Sequence, residues 1–157
     1  MVQSPNPSPS TSALVVDASV AVKWHLSDEP DVDCARALLR AFRSRQLRLF
    51  APTQIRHEIP SAISVACRAR PPRLSRAEGE QAIREFLAID LHLTDDTELA
   101  VAAFHLVGSL GIAYYDALYV ALAERHHIGF VTADRRLYDR VRHLPGVVWL
   151  ARWTPPA

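Results

Sequence analysis

The chain has 157 residues, 49% hydrophobic and 22% charged, with a formal net charge of +1. That length suits one domain with its own core, and the composition excludes disordered and collagenous classes. Cys34 and Cys67 form no CxxC pattern, which argues against a zinc site or disulfide framework and fits a reducing cytoplasmic setting, and no apolar run approaches the roughly 18 residues of a membrane span.

Residues 1–12 are rich in Pro and Ser, lack a basic start or an apolar stretch, and read as a disordered tail rather than a signal peptide. Residues 13–16 are a short apolar run ended by Asp17, the pattern of a strand buried on both faces of a parallel sheet. A helix is expected from Ser19, and another over residues 32–42, where Ala35, Leu38, Leu39 and Phe42 recur at helical spacing. Residues 47–51 predict the second strand. Thr53 is the candidate N-cap of a helix with Ile55, Ile59, Ala62, Ile63 and Ala66 on one face, and Pro60 inside it predicts a kink.

Pro71-Pro72 breaks the chain, and Ser75 with Glu78 has the capping-box spacing for a helix to about Ala88. A third strand is expected over residues 89–93. Asp95 and Glu98 repeat the capping spacing before a helix that ends near Gly108 or Gly111. Residues 115–125 predict a helix, 129–131 a strand, 135–141 a short helix and 146–150 the last strand. Strands alternating with helices predict an α/β fold, a three-layer α/β/α sandwich around a mainly parallel sheet. The expected domain spans residues 13–152, with a short tail over 153–157.

Four acidic residues stand out against this frame. Ligands of open parallel sheets bind outside the carboxyl ends of the strands, where Asp17 and Asp134 are expected. Each alone is weak evidence, since an Asp after a strand is more often a turn or helix cap. Asp116 begins a helix that Ala117, Leu118, Val120, Ala121, Leu122 and Ala123 make apolar almost all round, so the helix should be buried and its carboxylate needs a cation or donors. Capping against the helix dipole fits Asp116 as well as metal binding does. Glu58 borders the apolar face of its own helix. Carboxylates converging at one edge repel one another unless a divalent cation neutralises them, and all-oxygen ligands suit Mg²⁺ or Mn²⁺. Such a site suits phosphodiester hydrolysis. Thr132, two residues before Asp134, is placed to orient a water or phosphate, or is simply a good strand former.

The stretches Val15-Val16-Asp17-Ala18-Ser19-Val20-Ala21-Val22-Lys23-Trp24, Glu58, Tyr115-Asp116-Ala117-Leu118-Tyr119-Val120-Ala121-Leu122-Ala123-Glu124 and Val131-Thr132-Ala133-Asp134 closely resemble the PIN-domain family, nearest to the VapC toxins of bacterial toxin–antitoxin pairs. The resemblance runs from about Leu14 to Leu150. It implies a PIN-like nuclease domain, a Mg²⁺- or Mn²⁺-dependent endoribonuclease that acts on RNA, forms a homodimer and is held inactive by an antitoxin covering the acidic pocket. Asp17, Glu58, Asp116 and Asp134 match the family's acidic positions, with Ser19 and Thr132 as supporting residues. After Glu58 the family's usual asparagine is missing, and Pro60 and Ser61 stand there instead. A kink at Pro60 would re-aim Glu58, which leaves a non-cleaving RNA- or protein-binding module as the alternative.

Other features carry less. Lys23 is the only lysine, and Arg68, Arg70, Arg73 and Arg76 read as solvated surface or as contacts to an RNA backbone. None of the seven histidines forms an HExxH motif. Asp95 and Asp96 are explained by capping. Trp24, Tyr114, Tyr115 and Tyr119 are expected in the core, with Trp24 and Tyr119 the candidates for stacking on bases.

Overall fold

The apolar run before Asp17 becomes the central strand of the sheet in the computed structural model, which describes residues 12–156. The strands are β1 (Ser12–Val16), β2 (Leu47–Pro52), β3 (His92–Thr94), β4 (Gly129–Thr132) and β5 (Val147–Trp149). All four pairings are parallel and the spatial order is β3-β2-β1-β4-β5. The chain therefore walks outward from β1 through β2 to β3, then crosses back to β4 and β5. That reversal opens a crevice at the carboxyl ends of β1 and β4.

The helices are α1 (Ala18–Ala21), α2 (Val32–Arg43), α3 (Ile55–Arg68), α4 (Arg76–Leu87), α5 (Asp96–Leu110), α6 (Tyr114–His126) and α7 (Arg135–Val141), with 3-10 turns at Val22–Trp24 and Leu150–Arg152. They sandwich the sheet as the alternation predicted. Residues Ala117 through Ala123 of α6 are all buried, because α6 lies over β1, β2 and β4 and is covered in turn by α5. A helix buried on every side has no use for a polar face. No single helix among the described residues is long and apolar enough to cross a membrane.

Several local expectations change. The Ser75–Glu78 capping box is present, with both reciprocal hydrogen bonds. Asp95 caps α5 through Thr97 N (2.8 Å), but Glu98 turns away to pair with Arg125 at 2.9 Å, so no box forms there. Thr53 does not cap α3: Gln54 holds that position, and the Thr53 hydroxyl accepts from Asp96 N at 3.2 Å. The third strand begins at His92 rather than Ile89, since residues 88–91 close the end of α4 in a tight turn. Pro60 does not interrupt α3, and Arg56, whose carbonyl loses its helical partner, is exposed. Most of the expected tail, residues 1–11, lies outside the described residues, and Ser12 already belongs to β1.

Candidate functional site

Asp17 leaves β1 at the crevice and is 5% exposed. The register that pairs Val16 with Val131 brings Asp17 alongside Thr132, and Asp17 N donates to Val131 O at 3.0 Å. Two hydroxyls then converge on one carboxylate oxygen. Ser19 Oγ donates to Asp17 Oδ2 at 2.5 Å and Thr132 Oγ1 donates to the same oxygen at 2.7 Å. Each hydroxyl also accepts a backbone amide from the β4–α7 connection, Ala133 N onto Ser19 (2.9 Å) and Asp134 N onto Thr132 (3.0 Å). Among the described residues no donor reaches Asp17 Oδ1, so the web orients the carboxylate and leaves one oxygen unspent.

Thr132 is 0% exposed. A buried hydroxyl committed in both directions orients Asp17. Asp134, just beyond β4, caps α7 by accepting from Leu137 N at 3.0 Å. The capping explanation is therefore realised, and its charge still reaches both Asp17 and Asp116.

Asp116 stands in the first turn of α6 and Glu58 in the first turn of α3. Burial pushes the Asp17 carboxyl up to about 6 against the opposing effect of Ser19 and Thr132, with the charges of Asp116 and Asp134 adding to the rise. Burial pushes Glu58 up to about 7, aided by the charges of Asp17, Asp116 and Asp96. Asp116 is raised by burial and by Asp134, with Arg136 opposing. The charges of Asp116 and Asp134 thus act on Asp17, those of Asp17 and Asp116 on Glu58, and that of Asp134 on Asp116, across separate elements, a pattern that marks a candidate site. Among the described residues no three His, Cys, Asp or Glu side chains are gathered closely enough to form a ready-made metal cage. Mutual repulsion among the carboxylates opposes such closeness until a cation offsets it.

Three contributors went unrecognised in the sequence. Tyr119 is buried, and its hydroxyl donates to Glu58 Oε1 at 3.1 Å. It is neither a base-stacking surface nor inert core. Gln54, 6% exposed, donates through Nε2 to Tyr115 O at 2.7 Å, while its own backbone N donates to Asp96 Oδ1 at 3.0 Å. It therefore pins the starts of α3, α5 and α6 together, one residue from Asp116 and one turn from Glu58. Asp96 belongs to this clasp and does not cap α5. A polar pair following a strand, Thr53-Gln54, was the only local signal. In the arginine group, Arg73 is bound to Asp28 (2.7 Å) and Glu29 (2.5 Å), so it is not free for RNA.

The PIN domain profile matches residues 14–144. Ribonuclease VapC9 of Mycobacterium tuberculosis is 34% identical over 134 residues, covering 80% of this chain and 89% of the relative. Among solved structures, PAE2754 from Pyrobaculum aerophilum aligns with a TM-score of 0.65 at 20% identity, over 96% of this chain and 94% of that one. A toxin–antitoxin complex from Klebsiella pneumoniae aligns at 0.60 with 15% identity, over 86% and 95% of the two chains. Together with the parallel sheet of order β3-β2-β1-β4-β5, these matches show that the chain belongs to the PIN-domain family.

Proposed function

We propose that this chain is an endoribonuclease that hydrolyses RNA phosphodiester bonds with Mg²⁺ or Mn²⁺, and that it is the cytoplasmic toxin of a toxin–antitoxin pair. The observation that carries this reading is the raised pKa of three carboxyls, Asp17 by burial and the charges of Asp116 and Asp134, Glu58 by burial and the charges of Asp17, Asp116 and Asp96, and Asp116 by burial and the charge of Asp134. An all-carboxylate donor set fits a hard divalent cation, and these four residues would hold it. A bound ion of this kind supplies Lewis acidity toward water and toward the phosphate. The chain's own residues prepare the place: Ser19 and Thr132 fix the Asp17 carboxylate, and Tyr119 fixes Glu58.

The non-cleaving alternative rested on a Glu58 turned aside by Pro60. Glu58 instead sits under the charges of Asp17 and Asp116 and on the Tyr119 hydroxyl, so nothing favours that alternative. The naming of VapC9 as a ribonuclease and the Klebsiella complex support the toxin reading and an antitoxin partner. Exposed Val101 and Phe104 on α5 form an apolar area of the kind a homodimer covers.

The test is cleavage of RNA by the purified chain with added Mg²⁺ or Mn²⁺. Asp17→Asn and Asp116→Asn should each abolish cleavage and leave a folded protein, since charge is lost and volume kept. Full activity in excess EDTA, or wild-type rates in either folded variant, would overturn the reading.

A further inference from the structure

Trp149 ends β5 in register with Thr132, which places it at the same carboxyl edge as Asp17 and Asp134, one strand beyond. Its indole is half-buried. Arg135, the first residue of α7, lays its guanidinium over that ring at 5.7 Å from the centroid. The guanidinium is tethered by Arg135 Nε to Asp139 Oδ2 at 3.3 Å, and Tyr138 backs the indole at 5.5 Å with a 57° tilt. The Arg135 side chain is 70% exposed. Arg136 beside it is exposed as well, and its charge reaches Asp116.

An arginine resting on a tryptophan is ordinary surface packing in most places. Here the pair adjoins four carboxylates whose field repels any phosphate, and Arg135 and Arg136 directly follow Asp134. A substrate phosphate entering this edge needs cations on its path. A guanidinium held over an indole also offers its outer side to a nucleobase, and stacking of this kind takes unpaired bases of any identity. Bases in a duplex are stacked on their own neighbours and cannot use it.

We propose that Trp149, Arg135 and Arg136 form a subsite for single-stranded RNA beside the carboxylates, in which a base stacks on the Arg135–Trp149 pair and Arg136 offsets the adjoining phosphate. The subsite rests on the ribonuclease reading and names the form of substrate that the site takes. It is distinct in place from Arg40 on α2, an exposed arginine toward the amino edge of the sheet, which serves as a control.

The experiment measures fluorescence anisotropy of a labelled mixed-sequence single-stranded RNA 12-mer against the full chain carrying Asp116→Asn, so that the probe is not cut. Arg135→Ala and Trp149→Ala should each weaken binding about tenfold, and Trp149→Phe should retain most of it. Arg136→Ala should weaken binding and flatten its dependence on salt by about one charge. Arg40→Ala should change neither. In the cleaving enzyme Arg135→Ala should raise KM far more than it lowers kcat. If the half-buried Trp149→Ala fails to fold, Arg135→Ala and Trp149→Phe still decide, because Arg135 is a surface residue. Binding by the parent that Arg135→Ala leaves unchanged sinks the subsite alone. A parent that neither binds nor, as wild type, cuts single-stranded RNA sinks the subsite together with the reading on which it rests.

Discussion

Asp17 shows how much one buried carboxylate depends on its neighbours. Both donors to Oδ2 favour its charged form, while burial disfavours it more strongly. Thr132→Val keeps the shape and removes one donor, and it also strands the Asp134 amide that the hydroxyl accepts. The expected result is a loss of about 1–3 kcal/mol in urea unfolding, the usual consequence of leaving buried polar groups unpaired. The Asp17 carboxyl should titrate still higher, which carbon-13 NMR of the side chain would read. Unchanged stability and titration would remove Thr132 from the site. His25 gives an independent residue-scale test. Burial lowers its pKa, Glu85 opposes the lowering and Arg43 adds to it, while Nε2 is buried without a partner among the described residues. A depressed folded-state pKa contributes stability that is present above the ordinary histidine value and lost as pH falls through the folded one. The melting temperature of the wild type should therefore fall more steeply than that of His25→Phe on going from about pH 7 to about pH 5. Parallel curves would contradict this.

At the scale of elements, the site is assembled by helix starts. Glu58 and Asp116 lie in the first turns of α3 and α6, and the spacing between those turns is set by Gln54 reaching Tyr115 O and by Tyr119 reaching Glu58. Gln54→Leu keeps the bulk and cuts the clasp. It should weaken Mn²⁺ binding, measured by calorimetry, by about tenfold or more, as is usual when a supporting partner of a ligand is removed. A variant that melts lower but binds Mn²⁺ like the wild type would reduce Gln54 to a purely structural role. The reading of Asp96 changes for the same reason. Taken as a helix cap it would be dispensable for activity, yet its carboxylate holds Gln54 N and its charge raises Glu58. The all-apolar α6 was legible in the sequence because burial on every side leaves a pattern. The clasp was not, because a residue pinned across 61 positions has no local periodicity.

For the whole molecule, Arg136 acts on Asp116, and the remaining repulsion in the acidic crevice is relieved by protonation of the raised carboxyls or by a cation from outside the chain. A divalent cation is one source. An arginine from an antitoxin segment is another, and a bidentate guanidinium competes for the same oxygens. Such a segment should inhibit cleavage most strongly at low metal concentration, with Mg²⁺ in excess restoring activity. Inhibition that ignores metal concentration in a two-way titration would place the antitoxin's action elsewhere.

The sequence by itself determined the layered α/β architecture, the buried α6 and the placing of Asp17 and Asp134 at strand ends, since each follows from periodicity, apolar runs and turn residues read over a few positions. The effect of Pro60 on Glu58 was not legible locally, since the proline pattern alone predicts a kink while α3 runs from Ile55 to Arg68 with Pro60 inside it. Only the tertiary structure decided which charges meet. Parallel register set Trp149 beside Thr132 and Thr132 beside Asp17, and the crossover from β3 to β4 carried α6 across to face α3. Arg73 was likewise claimed by Asp28 and Glu29, far away in sequence. Local patterns encode which face of an element is buried, whereas partners across the crevice are chosen by the order in which the strands are laid down.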